Sequence, residues 1–219
     1  MNILAIDTTT KKASVVVKKD NTIISKTIDN EITHSEKLLP LIHETLEEAN
    51  LKLQDIHLLA CTLGPGSFTG VRIGIATMKA LAKVIDTKIY GITSLELLAM
   101  DGIKNSTNSF KQVLSLMDAR NDRVYFNLYN YNKDVLEDTN YSGNDYLESV
   151  LENTPNLSST LIVVDNAELI NDKNLNVIQG NLDLTNILNM DMSKNIYTYL
   201  DLDAKYYRKS EAERTKKGE

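Results

Sequence analysis

The sequence predicts an α/β protein of two lobes, each a mixed sheet with helices packed on it, the second lobe smaller and more divergent. Three observations carry this prediction. Three strand-like runs open the chain and give way to helix, strand, helix, strand, helix, the pattern of a sheet whose parallel part is crossed by helices. A weaker copy of the opening follows a polar stretch near residue 102. Before that stretch, a buried strand runs into Gly64-Pro65-Gly66-Ser67-Phe68-Thr69-Gly70-Val71-Arg72-Ile73-Gly74, and an apolar helix runs out of it.

Each element has a local reason. Asn2 to Asp7 is a short apolar run, and Ala13 to Lys18 is β-branched through Val15, Val16 and Val17; Asp20-Asn21 turns the chain into a third strand, Thr22 to Ile28. Ser35 can cap a helix to Asn50 whose Leu38, Leu39, Ile42, Leu46 and Ala49 follow the three-and-four spacing of one buried face. Pro40 falls in its first turns, and Asn50 is a residue that tolerates a left-handed stop. Asp55 to Leu63 is apolar on both faces, as a central parallel strand is. Ser67 caps the next helix, Phe68 to about Ile85, which is apolar nearly all round and so is expected to be buried on more than one side. Gly70 and Gly74 thin one face, either for a neighbouring backbone or for contact with the sheet. Lys88 to Ile92 is a fifth strand, and Ser94 caps a short helix through Met100. These elements form the first lobe, residues 1–102.

The second lobe, 103–219, starts with polar linker residues to Ser109. Gln112 to Met117 and Val124 to Tyr131 are strands joined at Asn121-Asp122, with a third from Val135, so the opening is duplicated. Asn144 to Glu152 and Leu184 to Leu200 have helical character, and Leu161 to Val164 is a buried strand between them. Asparagine occurs 4 times before residue 101 and 18 times after it, which weakens regular patterning in this half.

The 219 residues carry a formal charge of −6, which opposes a phosphate backbone at long range and argues against nucleic-acid binding by the chain alone. The tail from Lys205 to Glu219 reverses the sign locally, with six basic residues against three acidic ones. Cys61 is the single cysteine, so no disulfide framework exists and it reads as a small core residue. No run reaches the roughly 18 apolar residues of a membrane span, and a soluble, cytoplasmic protein without membrane association is expected.

A hairpin opening each of two lobes is the plan of the actin-like, sugar-kinase and Hsp70 ATPase superfamily. In that plan both hairpin turns hold phosphates, through an acidic residue for a metal and glycines that let backbone N–H groups approach. Here the turns read Asp7-Thr8-Thr9-Thr10-Lys11 and Asp118-Ala119-Arg120-Asn121-Asp122: the carboxylates are present and the glycines are not. An aspartate at a strand end is also an ordinary turn former. The Gly64 to Ser67 loop at a helix N-terminus can cradle an anion or can simply make a tight strand-to-helix turn, and it lacks the Lys-Ser/Thr ending of a phosphate loop. Arg72, on an otherwise apolar helix, requires a partner or the surface. His34 and His43 lie on opposite faces of one helix and His57 opens a strand, so no metal-ligand spacing appears. Ser67 sits in G-P-G-S-F rather than a nucleophile elbow.

Several stretches together resemble the TsaB family, also called YeaZ: Ile3 to Thr10, His34-Ser35-Glu36-Lys37-Leu38-Leu39-Pro40, Gly64 to Gly74, Thr93 to Ala99, Met117 to Arg120 with Val124-Tyr125, and Tyr206-Tyr207-Arg208 through Ala212-Glu213. The resemblance spans both halves in order, and the loop-helix motif is its most specific part. It implies an actin-like ATPase-type fold and a subunit of the bacterial machinery that makes threonylcarbamoyladenosine beside the tRNA anticodon. It implies a heterodimer with the catalytic paralogue TsaD, a larger complex with the ATPase TsaE, tRNA met only through that complex, and a homodimer when alone.

The resemblance also implies a non-catalytic scaffold with no catalytic residue, cofactor or metal. The catalytic paralogue carries metal-binding histidines on the helix after its fifth strand, and that helix here, Ser94 to Met100, has none. The partner surface expected is the loop and helix after it beside the Ser35 to Asn50 helix, with Leu41, Thr45, Phe68, Gly70, Val71, Arg72, Gly74, Ile75 and Met78 as contacts. Two other classes remain as alternatives: an active small-molecule kinase or ATPase of the same superfamily, against which the glycine-free turns weigh, and a metalloprotease of the glycoprotease type, invited by resemblance to the paralogue, against which the missing histidine pair weighs.

Overall fold

A computed structural model gives the fold of residues 1–29, 34–132 and 135–207. The basic tail from Arg208 onward and the side chain of His34 lie outside the described residues. The described residues form two compact units, one of residues 1–94 with 184–206 and one of residues 95–183 with Tyr207. This departs from the expected division at 102/103: the first unit closes before the third helix, and a late segment returns to it.

The first unit is built on β1 (Ile3–Asp7), β2 (Lys12–Lys19), β3 (Thr22–Asp29), α1 (His34–Glu48), β4 (Leu58–Thr62), α2 (Phe68–Ile85) and β5 (Ile89–Ile92). β1 pairs antiparallel with β2 and parallel with β4, and β4 pairs parallel with β5. Every residue of β1, β4 and β5 is buried, as the continuous apolar runs require of central strands covered on both faces. Leu4, Ile6, Val15, Val17, Leu59 and Cys61 meet Leu38, Ile42 and Leu46 of α1 and Val71, Ile75 and Met78 of α2 in one core. A fully buried Leu or Ile contributes about 1.5–3 kcal/mol over leaving it in water, so this cluster dominates the unit's stability. Asn50, at φ 50°, stops α1 in the left-handed conformation expected of it. The helix begins at His34, so Ser35 is its second residue and not its cap.

α2 matches its predicted span, and Ser67 caps it, with the side chain accepting from Gly70 N. Its burial is one-sided, contrary to expectation: Gly70, Val71, Gly74, Ile75, Met78 and Ala82 are buried, whereas Phe68, Arg72, Ala76, Ala80 and Val84 form an exposed stripe at four-residue spacing. Small residues at 76 and 80 made the circumference read as apolar without supplying bulk to bury.

Residues 184–206 hold a second correction. The expected helix Leu184 to Leu200 is a 3-10 turn, Leu184–Asn189, that packs on β1 and β2, followed by β11 (Ile196–Tyr197) added antiparallel to β5. Asp191 accepts from Ser193 N at 3.0 Å and Asn195 takes φ 55°, so local side-chain turns displace the helix.

The second unit begins with α3 (Ser94–Asn105), whose Leu95, Leu98 and Ala99 pack on a sheet of β6 (Gln112–Asp118), β7 (Arg123–Asn132), β8 (Val135–Tyr146), β9 (Thr160–Val164) and β10 (Val177–Gln179). α3 runs past Met100 and through Gly102, where the absent side chain makes room: a Cβ there would stand 2.2 Å from Val163 Cγ2. The first residues of the expected linker are therefore helical. β8 continues to Tyr146, so the helix placed at Asn144 starts instead as α4 (Leu147–Asn153). Strand order is β11-β5-β4-β1-β2-β3 in one sheet and β10-β9-β6-β7-β8 in the other. Apart from β11 the two orders are the same, a duplicated hairpin followed by two parallel strands. The second copy has only a 3-10 turn (Ala167–Leu169) where the first has α2, which makes it the reduced one.

Candidate functional site

β1 ends on Asp7, and the turn after it is buried: Asp7, Thr8 and Thr9 are all 3% exposed or less. Asp7 Oδ1 accepts from Thr9 N at 3.0 Å, from Thr9 Oγ1 at 2.8 Å and from Thr62 Oγ1 at the end of β4. The carboxylate that the superfamily plan assigns to a metal is thus engaged by its own turn and the neighbouring strand, as a turn-forming aspartate is.

The glycine-rich loop lies directly against this turn. Gly64, at φ +99°, uses a conformation that side-chain-bearing residues avoid. Ser67 N donates to Thr9 O at 2.7 Å, and a Cβ on Gly66 would stand 2.2 Å from the same oxygen. Thr8 Oγ1 donates to Gly70 O at 2.8 Å; a Cβ on Gly70 would meet Thr8 O at 2.0 Å, and one on Gly74 would meet Thr8 Oγ1 at 2.4 Å. The neighbour for which these glycines clear space is the chain's own first turn. The loop thus makes the tight strand-to-helix turn, with Ser67 N committed to Thr9 O and the carbonyl oxygens of Thr8 and Thr9 against Gly70 and Gly66.

The predicted contact residues separate sharply by depth. Leu41, Thr45, Val71, Ile75 and Met78 are at most 7% exposed and belong to the unit's interior, and Gly70 and Gly74 are closed off by Thr8. Such side chains have little area to give a second molecule directly; they set the positions of α1 and α2. Phe68, 39% exposed, and Arg72 are the members that reach solvent. They meet a residue that no local pattern could have supplied, Tyr206, 134 positions beyond Arg72. Arg72 Nε donates to Tyr206 Oη at 3.0 Å, its guanidinium lies 3.9 Å over the Phe68 ring, and the Phe68 and Tyr206 rings are 5.3 Å apart. Lys205 N donates to Leu63 O at 2.8 Å, which brings Tyr206 beside the loop.

Other reactive groups are committed elsewhere. Burial, with the nearby Asp7 charge, pushes the Cys61 thiol up to about 12, so it is no thiolate nucleophile. His57 Nδ1 accepts from Asn2 N at 3.0 Å, and exposed His43 sits 3.4 Å from Glu47. Among the described residues no three His, Cys, Asp or Glu side chains group as a metal site would need, and no helix is long and apolar enough to cross a membrane. In the second unit, exposed Asp118 accepts from Arg120 N at 2.7 Å and its own N donates to Asp165 Oδ1 at 3.1 Å; burial foremost, then the Asp118 charge, raises the Asp165 carboxyl above its usual range.

Comparison with known proteins gives this arrangement a context. A family model described as TsaD, tRNA N6-adenosine threonylcarbamoyltransferase, matches residues 22–176. A Bacillus subtilis protein named tRNA threonylcarbamoyladenosine biosynthesis protein TsaB is 35% identical over 158 residues, which cover 69% of this chain and 67% of that protein. The Escherichia coli protein of the same name is 36% identical over 129 residues, 59% of this chain and 55% of its own length. In fold, the chain is similar to YeaZ from Pseudomonas aeruginosa, with a TM-score of 0.77 at 21% identity over 94% of this chain and 99% of that one.

Proposed function

Because the chain belongs to the TsaB family, within the broader group that the TsaD family model describes, we propose that it serves in making threonylcarbamoyladenosine on tRNA, as a non-catalytic subunit that binds and activates TsaD. The observation that carries the non-catalytic part is the filled first turn: the Asp7 carboxylate is taken up by Thr9 and Thr62, and the loop and α2 press on Thr8 and Thr9. A nucleotide phosphate at that turn would have to displace all of these contacts. The partner surface is the exposed side of α1 and α2, which ends on Phe68 and Arg72. Leu41, Thr45, Gly70, Val71, Gly74, Ile75 and Met78 act beneath it as the packing that holds the two helices. TsaE joins the pair in a larger cytoplasmic complex, tRNA is reached through that complex, and two copies pair when TsaD is absent.

Reconstitution tests this reading. Modification of tRNA by TsaD, TsaE and the adenylate-forming enzyme is measured with and without the chain, and product is expected only in its presence. Full activity on omission refutes the scaffold role. Nucleotide turnover by the isolated chain that Asp7→Ala abolishes would instead establish the kinase or ATPase reading.

A further inference from the structure

The exposed side of α2 carries Arg72 near its start and Lys79 and Lys83 two and three turns further on, and of these Arg72 is the one held in place by two aromatic rings. Arg72 Nε is occupied by Tyr206 Oη, and the guanidinium plane is held against the Phe68 ring. Among the described residues neither terminal nitrogen, Nη1 nor Nη2, has a hydrogen-bond or ion-pair partner. An arginine fixed in this way loses little side-chain freedom on binding, and its free edge matches an oxyanion that can accept two parallel hydrogen bonds. The rest of the stripe, Ala76, Ala80 and Val84, is uncharged and exposed.

We propose that Arg72, clamped by Phe68 and Tyr206, is the specificity-determining contact of the partner surface and takes a carboxylate side chain of the partner protein in a two-point ion pair. This rests on the reading that the chain binds TsaD. A protein carboxylate fits better than a nucleic-acid phosphate, because the chain's formal charge of −6 opposes a phosphate backbone at long range, and Phe68 and Ala76, one turn to either side of Arg72, give the apolar surround of a buried interfacial charge. Tyr206 thereby enters the surface from the late segment: its hydroxyl orients Arg72, and its ring closes the far side of the platform.

Calorimetric titration of the full chain with purified TsaD tests this. Arg72→Ala is expected to weaken binding on the order of 30-fold or more, the effect of removing one partner of a desolvated charge pair. Arg72→Lys recovers little of that loss, since an ammonium keeps the charge and loses the fork. Tyr206→Phe, which keeps the ring and removes the hydroxyl, weakens binding several-fold and steepens its salt dependence. Arg72 is exposed, so the variants keep the wild-type circular dichroism and melting point. Unchanged TsaD affinity for Arg72→Ala, with the unsubstituted chain binding normally, overturns the inference. Unchanged TsaD affinity combined with loss of tRNA retention by the complex overturns it in favour of a phosphate. Absence of TsaD binding by the unsubstituted chain overturns the functional reading beneath it, a result distinct from the other two.

Discussion

The turns after β1 and β6 occupy the same position in two sheets of the same strand order, yet one is sealed and the other is left in water. The first is pressed by α2 and the glycine-rich loop, with Thr8 and Thr9 at most 2% exposed. Among the described residues the second has only the 3-10 turn Ala167–Leu169 at the position of α2. Arg120, Asn121 and Asp122 bend it through three consecutive left-handed conformations at φ 64°, 55° and 58°, and Asp118 supplies the turn's side-chain acceptor. Of these two turns, glycines crowd the one that a neighbouring helix presses on, at Gly66, Gly70 and Gly74, and the exposed one bends without any. The duplicated architecture keeps its sheet without α2; what α2 adds is a covered turn and an exposed stripe.

The contrast is easiest to break at Gly70. Gly70→Ala puts a Cβ 2.0 Å from Thr8 O, against backbone that cannot yield cheaply, and a loss of about 3 kcal/mol or more is expected in urea denaturation. Gly143→Ala in the second unit meets only the Phe126 ring at 3.4 Å and is expected to cost under about 1 kcal/mol. Equal losses would remove the distinction. Next in size, Asp7→Ala leaves Thr9 N, Thr9 Oγ1 and Thr62 Oγ1 without their buried acceptor and is expected to cost about 3 kcal/mol, whereas Asp118→Ala at the exposed turn costs about 1 kcal/mol.

Smaller effects come from pH. The Asp165 carboxyl is raised in the folded chain, so the folded state favours its protonated form; that contribution is full below the unfolded value and is lost as pH rises through the folded one. Asp165→Asn is accordingly expected to raise the melting temperature at pH 7 and to leave it unchanged near pH 3. Burial, then the charges of Asp138 and Glu96, pushes the Tyr207 phenol up to about 12 from a model-peptide value of about 10. Its stabilisation is present below pH 10 and fades between pH 10 and 12. Tyr207→Phe is expected to flatten the stability curve across that window and to remove one phenolate step near pH 12 from the ultraviolet titration.

Much of the fold was legible because its signals are local. The Ser67 cap, the apolar run of β4, the left-handed Asn50 and the repeated hairpin each rest on a few adjacent residues. The errors have a shared cause as well. Gly102 reads as the start of a linker, yet it is the point where α3 passes Val163, a contact 61 positions away that no local pattern reveals. Gly70 and Gly74 read as room for a second molecule because close approach leaves the same mark whether the approaching backbone is another chain's or Thr8 of this one. Leu184 to Leu200 has helical spacing, but Asp191 and Asn195 satisfy the backbone in turns. At the candidate site, Arg72 stands out in the sequence as a charge on an otherwise apolar helix and Phe68 enters with the expected partner surface, but Tyr206 has no such signal, because its position depends on the late segment returning past Leu63.

That return has a consequence for how the protein is made. Synthesis runs from the amino end, so β1 to β5 emerge first and residues 95–183 of the second unit are produced before Lys205 can bond to Leu63 and Tyr206 can close on Arg72. A nascent chain that stalls anywhere before Tyr206 carries Arg72 without its clamp. Such a product lacks both the hydrogen bond from Arg72 Nε to Tyr206 and the contact of the Tyr206 ring with Phe68, so the order of synthesis makes this platform one of the last parts of the first unit to form.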